Sequence, residues 1–348
     1  MASASDPVIV QPDRAGPEVP AGLSHCIRRV AARSADWQST GLRRRIQIAL
    51  GLLWLLDAAL QYQPYMFSPA FPMKILSASA VGSPGLVAAP VMVASHLMLH
   101  NVMVWNAVFA TAQLALAAGL LCRLTVKAAL AATIVWSVAV WWLGESLGGI
   151  FTGAASPLSG APGAVILYAL VAILAWPSPG GDRRHATVAG GSPFGARWSR
   201  RLWLVLWGSS AYLMLQTPNR APGALRASLA GLAAGEPHWI AAMDRACAGA
   251  AGRAGTLLPV LLAVTFATIG VAVLIPSVAR LAVPLSIVAA LSIWTVGENF
   301  GGILTGQATD PNTGPLLALV ALAFWPLNTT QPGGVPVRWT PAGQRAGR

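Results

Sequence analysis

Eight long runs of apolar residues constrain this sequence more than any other feature. Charged residues are nearly absent within the runs, and the exceptions are Asp57, Glu145 and Glu298. Runs of roughly 17–25 apolar residues have the length needed to cross a bilayer as a helix. We therefore predict an all-α polytopic membrane protein whose transmembrane helices lie near residues 46–62, 102–122, 128–147, 161–177, 202–218, 256–275, 281–300 and 314–327.

The composition agrees with this class. Of the 348 residues, 55% are hydrophobic and 10% are charged, whereas a soluble domain carries about 25% charged residues. The net charge of +12 would suit a nucleic-acid binder, but the arginines lie between apolar runs without interleaved aromatic residues. We therefore predict that the protein has no nucleic-acid partner and lies in a lipid bilayer. Cys26, Cys122 and Cys247 form no CxxC pair, which argues against a structural disulfide or a dithiol redox centre.

An acidic, glycine-rich stretch occurs twice. The segments WWLGESLGGIFTG (Trp141–Gly153) and WTVGENFGGILTG (Trp294–Gly306) are identical at 8 of 13 positions and lie 153 residues apart. The same offset pairs Trp54 with Trp207, Gln63 with Gln216, and Pro162 with Pro315. We predict a tandem duplication of a four-helix bundle. Because each copy has an even number of spans, both copies enter the membrane in the same orientation, related by a pseudo-twofold axis along the membrane normal.

The basic residues predict the orientation and the domain boundaries. Of the 23 Lys and Arg residues, 18 fall in the termini and in alternate connections, and 5 fall in the other connections. By the positive-inside rule, both termini are cytoplasmic and the protein lies in a bacterial plasma (inner) membrane. The predicted segments are a disordered cytoplasmic tail (1–42), a first membrane unit (43–178), a cytoplasmic linker (179–199), a second membrane unit (200–328) and a second tail (329–348).

The repeated glutamate is the first candidate site residue. On a helix, Trp141, Gly144, Glu145 and Gly148 share one face, and the two glycines let a neighbouring helix approach closely. A carboxylate is costly in hydrocarbon, so Glu145 and its counterpart Glu298 should face protein or a wet cavity. Two interpretations stay open: the glutamates bind a cation, a proton or a polar ligand near the pseudo-axis, or each accepts N–H bonds from its own glycine-rich loop.

Four further residues are candidates. Asp57 lies in the middle of a span, where an ionisable group indicates function, and its counterpart is Ser210. Asp310, opposite Pro157 at the same offset, is either a ligand or a turn former in TGQATDPNTGP.

His96 and His100 have a metal-ligand spacing if they are helical, with Glu145 as the nearest third ligand. The alternative for this histidine segment is an interfacial amphipathic helix.

The run VFATAQLALAAGLLCRLTVKAALAATIVWSVAVWW, together with RIQIALGLLWLLDAAL, resembles the DoxX-like family of small four-helix membrane proteins. The resemblance covers most of residues 43–177 and, more faintly, 200–327. It implies a membrane subunit tied to quinone-linked or respiratory redox chemistry, with a membrane or redox partner protein, or to envelope stress. No site residue transfers by motif, and the cofactor is left unknown.

The distribution of polar groups favours one function over another. The sequence shows no nucleophile–base arrangement, so we expect no catalysis. Polar groups concentrate at the outward ends of the spans, while the cytoplasmic halves of the third and seventh spans are Ala, Val, Ile and Leu. This pattern favours a non-catalytic membrane component that binds a quinone, a lipid or a metal ion in an outward-facing acidic pocket. The alternative is a proton-coupled secondary transporter or permease that uses Asp57, Glu145 and Glu298.

Overall fold

The computed structural model describes residues 21–177 (backbone only for 21–40), 185–275 and 278–327. Regular structure within these ranges is helical throughout, and they contain no β-strand, which confirms the all-α class. The predicted tail 329–348 lies outside the described residues, as do residues 1–20 and 179–184 of the other two predicted cytoplasmic segments.

Among the described residues, the first half contains six α-helices. They are α1 (Ala21–Leu60), the short turn α2 (Ser77–Ser79), α3 (Gly85–His100), α4 (Val102–Leu121), α5 (Val126–Leu143) and α6 (Ala164–Leu174). Residues 21–42, which the sequence assigned to a disordered tail, are the first half of α1. No proline interrupts residues 21–60, and the segment is rich in Ala, Leu and Arg, which favour helix, so the helix extends well beyond the apolar run.

The second half contains seven α-helices within its described residues. They are α7 (Gly195–Met214), the short α8 (Thr217–Arg220), α9 (Ala224–Leu232), α10 (His238–Ala254), α11 (Leu257–Ala272), α12 (Ala279–Ser292) and α13 (Thr313–Ala323). Because α7 begins at Gly195, the second helical unit starts five residues before the predicted boundary at 200. In addition, Val188 and Ala189 of the predicted linker are fully buried against the bundle.

Helices in the two halves begin at corresponding positions. The helical turn at Pro64 and α8 at Thr217 begin 153 residues apart, as do α3 at Gly85 and α10 at His238, and α5 at Val126 and α12 at Ala279. The last pair differs, because α6 begins at Ala164 and α13 at Thr313, which is 149 residues later. The loop before α6 is thus four residues longer than the loop before α13.

The same helices pack together in each half. Helix α1 packs on α4 and α5 on α6, while α7 packs on α11 and α12 on α13. Helices α6 and α13 also pack against each other and join the halves, and α1 contacts both of them. Large aromatic side chains fill the core between these helices: Trp54, Tyr168, Trp203, Trp207 and Phe266.

Fewer helices than predicted have the length of a membrane span. Among the described residues, three are long and apolar enough to cross a bilayer by themselves: Val102–Leu121, Val126–Leu143 and Ala279–Gly297. The pair α10 and α11, bent by 97°, would make a fourth. Helices α6 and α13 have 11 residues each, and at 1.5 Å per residue they cover about 16 Å, roughly half of a hydrocarbon core. These helices are compatible with a membrane protein, and the eight-span arrangement remains a proposal.

Basic and amide side chains close one end of the bundle. Arg43 donates hydrogen bonds to the carbonyl oxygens of Leu174 and Val188, at 3.3 and 3.0 Å. Gln47 donates to the carbonyl of Ala175 at 2.9 Å. The last carbonyls of a helix have no partner within the helix, so these contacts satisfy the end of α6 and hold residues near Val188 against α1.

Candidate functional site

A cavity of about 710 Å³ lies among α1, α3, α4 and α5, in the first half of the chain. Asp57 and Glu145 line it, and Asp310 of the second half reaches it through the loop before α13. Asp57 follows Arg43 by 14 residues of α1, which is about 21 Å along the helix axis. The cavity therefore lies well away from the end that Arg43 closes.

Asp57 is the most buried of the three acids. Its side chain is 1% exposed, and Oδ1 has no hydrogen-bond partner. The Tyr168 hydroxyl of α6 acts on the carboxyl group as a hydrogen-bond donor, and its ring packs at a tilt on Trp54, one turn before Asp57, with ring centroids 4.2 Å apart. A buried carboxyl group without full hydrogen bonding is costly, so Asp57 is a candidate contact for a ligand.

Glu145 lies at a sharp change of backbone direction. The predicted helix through Gly148 is wrong, because α5 ends at Leu143 and residues 146–149 all have positive φ. These four residues, two of them Ser146 and Leu147, form one left-handed turn. Left-handed conformations cost an L-residue roughly 1–2 kcal/mol, and backbone strain of this kind concentrates at functional sites.

Close packing explains the glycines of this turn. A Cβ on Gly148 would lie 1.9 Å from the Pro162 carbonyl oxygen. That same oxygen accepts a hydrogen bond from Trp141 Nε1 at 2.7 Å. The predicted close approach of a neighbour at Gly148 is therefore present, but the neighbour is the loop before α6 and not the face of another helix.

The two oxygens of the Glu145 carboxylate have different environments. Oε1 accepts a hydrogen bond from the Val165 amide in the first turn of α6, at 3.1 Å, where a negative charge is favourable. Oε2 is buried and has no partner. A Cβ on Gly163 would lie 2.3 Å from this second oxygen, so only a glycine at this position leaves enough space for the carboxylate.

Glu298 repeats the turn but is not brought to the cavity. Residues 299–302 are left-handed, and Trp294 Nε1 donates to the Pro311 carbonyl at 2.9 Å. The contacts therefore pair Pro162 with Pro311 and not with Pro315, as the 153-residue offset had suggested, because the loop is four residues shorter here. By the same shift, the first-half position opposite Asp310 is Ala161 and not Pro157.

Both carboxylate oxygens of Glu298 are satisfied. Oε1 accepts hydrogen bonds from the amide and hydroxyl of Thr313, and Oε2 accepts one from the Gly314 amide at 3.0 Å. In each half the N–H donors come from the next helix, not from the glycine-rich loop that the sequence suggested. Glu298 thus caps α13 completely, whereas Glu145 caps α6 with one oxygen only.

Asp310 is both a turn former and a wall of the cavity. Oδ1 accepts from the Asn312 amide and Oδ2 from the Thr309 hydroxyl, each at 2.7 Å. Burial raises the pKa of the Asp310 carboxyl above its ordinary value, and these two hydrogen bonds lower it. Its charge acts on Asp57 and Glu145 across the cavity.

The sequence analysis missed most of the cavity wall. Gln61 and Gln113 present buried Oε1 atoms without partners. Polar side chains at the end of one apolar run and within another were the signal that could have found them. Five aromatic residues also line the cavity: Trp54, Phe71, Trp105, Phe109 and Trp136. The lining contains no Lys, Arg or His, so the three acids have no basic counterpart there.

The structure supplies no third ligand for the predicted metal pair. His96 and His100 lie on α3 with exposed side chains, and His100 Nδ1 bonds the His96 carbonyl at 2.9 Å. Neither histidine lines the cavity with Glu145. Across the described ranges, no group of three or more His, Cys, Asp or Glu residues is arranged to hold a metal ion.

Comparison with protein-family models, with curated proteins and with solved structures found no match to this chain. The geometry of the cavity is therefore the basis for assigning a function.

Proposed function

We propose that this protein is a polytopic membrane protein that binds a small amphipathic ligand with a positively charged or hydrogen-bond-donating head. One observation carries the proposal: the residues that line the cavity carry four buried oxygen acceptors without partners, and none of them is basic. The four are Asp57 Oδ1, Gln61 Oε1, Gln113 Oε1 and Glu145 Oε2. Buried acceptors are normally satisfied, so a ligand that brings donors or a positive charge is the best complement.

The aromatic wall supports an organic head group over a bare ion. Trp105, Phe109 and Trp136 form a tilted series, with ring centroids 6.3 and 6.0 Å apart along it. Aromatic faces attract cations, and a cavity of about 710 Å³ is within the range of small-molecule sites, roughly 300–1,000 Å³. A quinone is a weaker match, because its carbonyls need donors, and among the fully buried side-chain atoms of the described lining Trp54 Nε1 is the one donor without a partner, against four acceptors.

The membrane arrangement belongs to the same proposal. We take all eight apolar runs as spans, in two four-helix units that arose by tandem duplication and share one orientation with both termini in the cytoplasm. Matching helix starts and matching turns at residues 146–149 and 299–302 support this arrangement. A DoxX-like membrane component with a partner protein is consistent with it.

The closed end of the bundle favours a binding protein over a permease. Between Asp57 and Arg43, α1 buries Leu50 and Trp54, each at most 1% exposed. Arg43 and Gln47 then bond the carbonyls at the end of α6. A transporter needs a polar path to both sides, and on α1 the buried apolar residues Leu50 and Trp54 separate Asp57 from the end that Gln47 and Arg43 close.

The test is ligand binding by the purified protein. Native mass spectrometry of the full chain in detergent identifies what co-purifies, and intrinsic fluorescence reports binding because three tryptophans line the cavity. The titration compares the phenethylammonium ion with 2-phenylethanol, which has a similar shape without the charge. We expect saturable binding of the cation that Asp57→Asn weakens. Equal binding of the alcohol, or preferential binding of an uncharged quinone, would overturn the proposal.

A further inference from the structure

A second group of buried oxygens lies in the other half of the chain, away from the cavity. Asp244 is on α10, is 1% exposed, and neither of its carboxylate oxygens has a hydrogen-bond partner. Glu236 lies just before α10, is half-buried, and its Oε2 is also buried without a partner. The two carboxylates interact electrostatically, and Arg245 is the cation that acts on Asp244.

Asn299 places its side-chain amide beside the two acids. This residue of the left-handed turn 299–302 is 3% exposed. Its amide acts as a hydrogen-bond donor toward the carboxyl groups of Glu236 and Asp244, and Nδ2 also donates to the Leu232 carbonyl at 3.2 Å. The same amide group therefore contacts both acids and carries a buried oxygen, Oδ1, without a partner.

The first half shows that the fold does not require these acids. The residues 153 positions earlier are Ser83, Val91 and Ser146. Ser146 Oγ donates to Ser83 Oγ at 3.0 Å, Val91 is fully buried, and Ser146 has a φ of 51° against 53° for Asn299. In the first half, the hydroxyl groups of Ser83 and Ser146 and the two methyl groups of Val91 therefore occupy these three positions. The second half places carboxylate and amide oxygens there, although unpaired buried carboxylates destabilise a fold.

We propose that Glu236, Asp244 and Asn299 bind one hard divalent cation of the Ca²⁺ or Mg²⁺ class. The donors are all oxygens, two carboxylates and an amide, which is the ligand chemistry that these ions prefer. The negative charge and the unpartnered oxygens are both satisfied when the ion binds. Water completes the coordination shell from the side of Glu236, which is the one partly exposed member of the three.

The test uses a variant that copies the first half. The triple substitution Glu236→Ser, Asp244→Val and Asn299→Ser installs the three residues that already occupy the equivalent positions. We compare thermal unfolding of the full-length variant and wild type, first in EDTA and then with Ca²⁺, Mg²⁺ or Na⁺ added. In EDTA we expect the variant to unfold at the higher temperature, because it lacks the buried charges. With Ca²⁺ or Mg²⁺ the order should reverse, since only the wild type gains a ligand.

Direct binding gives the second measurement. Wild type should bind one divalent ion per chain by isothermal titration, and Asp244→Asn, which keeps the shape of the side chain, should lose it even if the triple variant does not fold. Asp57→Asn serves as the matched control and should leave the ion response unchanged, which separates this proposal from that for the cavity. Absence of wild-type binding, or undiminished binding by Asp244→Asn, would overturn the assignment.

Discussion

Glu298 Oε2 accepts the Gly314 amide hydrogen at 3.0 Å, so Glu298 has no carboxylate oxygen left for a ligand. The equivalent oxygen of Glu145 is buried without a partner beside a cavity. Two glutamates that occupy the same place in a repeated motif therefore have different contacts: Glu298 holds the start of α13, and Glu145 holds α6 and also lines the cavity.

The first prediction separates the two glutamates. Glu298→Gln replaces an acceptor oxygen by an amide group beside the N–H donors of α13, so we expect a loss of stability of about 1–3 kcal/mol. Glu145→Gln should cost less stability and weaken binding of the phenethylammonium ion. Thermal unfolding and fluorescence titration of both variants provide the measurement. If the two substitutions had equal effects on stability and on binding, the different roles assigned to Glu145 and Glu298 would be contradicted.

The second prediction concerns Asp57. Asp57→Asn removes a charge that is 1% exposed and retains the volume, so the ligand-free protein should become more stable, while cation affinity should fall by about tenfold or more. Ser210→Ala is the control at the equivalent position, where the hydroxyl bonds the Leu206 carbonyl within α7. A destabilised Asp57→Asn protein with unchanged affinity would mean that the carboxylate is structural.

The third prediction uses two glycines with similar backbone angles. Gly148 and Gly153 have φ of +63° and +75°, but a Cβ would meet the Pro162 carbonyl at Gly148 and nothing within 4 Å at Gly153. Gly153→Ala should cost only the left-handed strain, roughly 1–2 kcal/mol. Gly148→Ala adds a clash with backbone, and we expect little folded protein. Yields in size-exclusion chromatography and unfolding temperatures measure this difference, and similar behaviour of the two variants would show that close packing at Gly148 is unimportant.

The fourth prediction concerns pH. Burial raises the pKa of Asp310, so between the unfolded and folded pKa values the folded state binds more protons than the unfolded state. The free energy of unfolding from this group is therefore greatest at low pH and falls as pH rises through that window. We expect the unfolding temperature of the ligand-free protein to decrease from about pH 4 upward, with a smaller slope in Asp310→Asn. An identical slope in the variant would assign the effect to Asp57, Glu145 or Glu298, the acids on which the Asp310 charge acts.

The fifth prediction tests orientation. Ala154 and Gln307 are exposed and follow the two equivalent turns. In a background without native cysteines, Ala154→Cys and Gln307→Cys should both react with a membrane-impermeant maleimide in intact cells. A cysteine at position 122 alone, exposed in the turn between α4 and α5, should react only after the cells are opened. If one of the two loop cysteines reacted in intact cells and the other only after the cells were opened, the two copies could not share an orientation.

The sequence by itself determined the helical class and the 153-residue correspondence between the two glycine-rich turns, whereas α9 and α10 lie outside the predicted runs. These properties are local: runs of apolar residues favour helices, and prolines and glycines interrupt them, so similar local patterns produce similar elements. Even the acids were visible, because Asp57, Glu145 and Asp310 stand out in an apolar chain.

Only the tertiary structure decided which of these residues meet. Asp310 lies 253 positions after Asp57, yet both line one cavity while Glu298 is excluded from it. A loop shorter by four residues before α13 places two amides and a hydroxyl on Glu298, whereas the longer loop before α6 leaves one Glu145 oxygen without a donor. The left-handed turns depend in the same way on the approach of a distant backbone at Pro162 and Pro311. Such contacts join segments far apart in the chain, and hydrophobic periodicity carries no information about them.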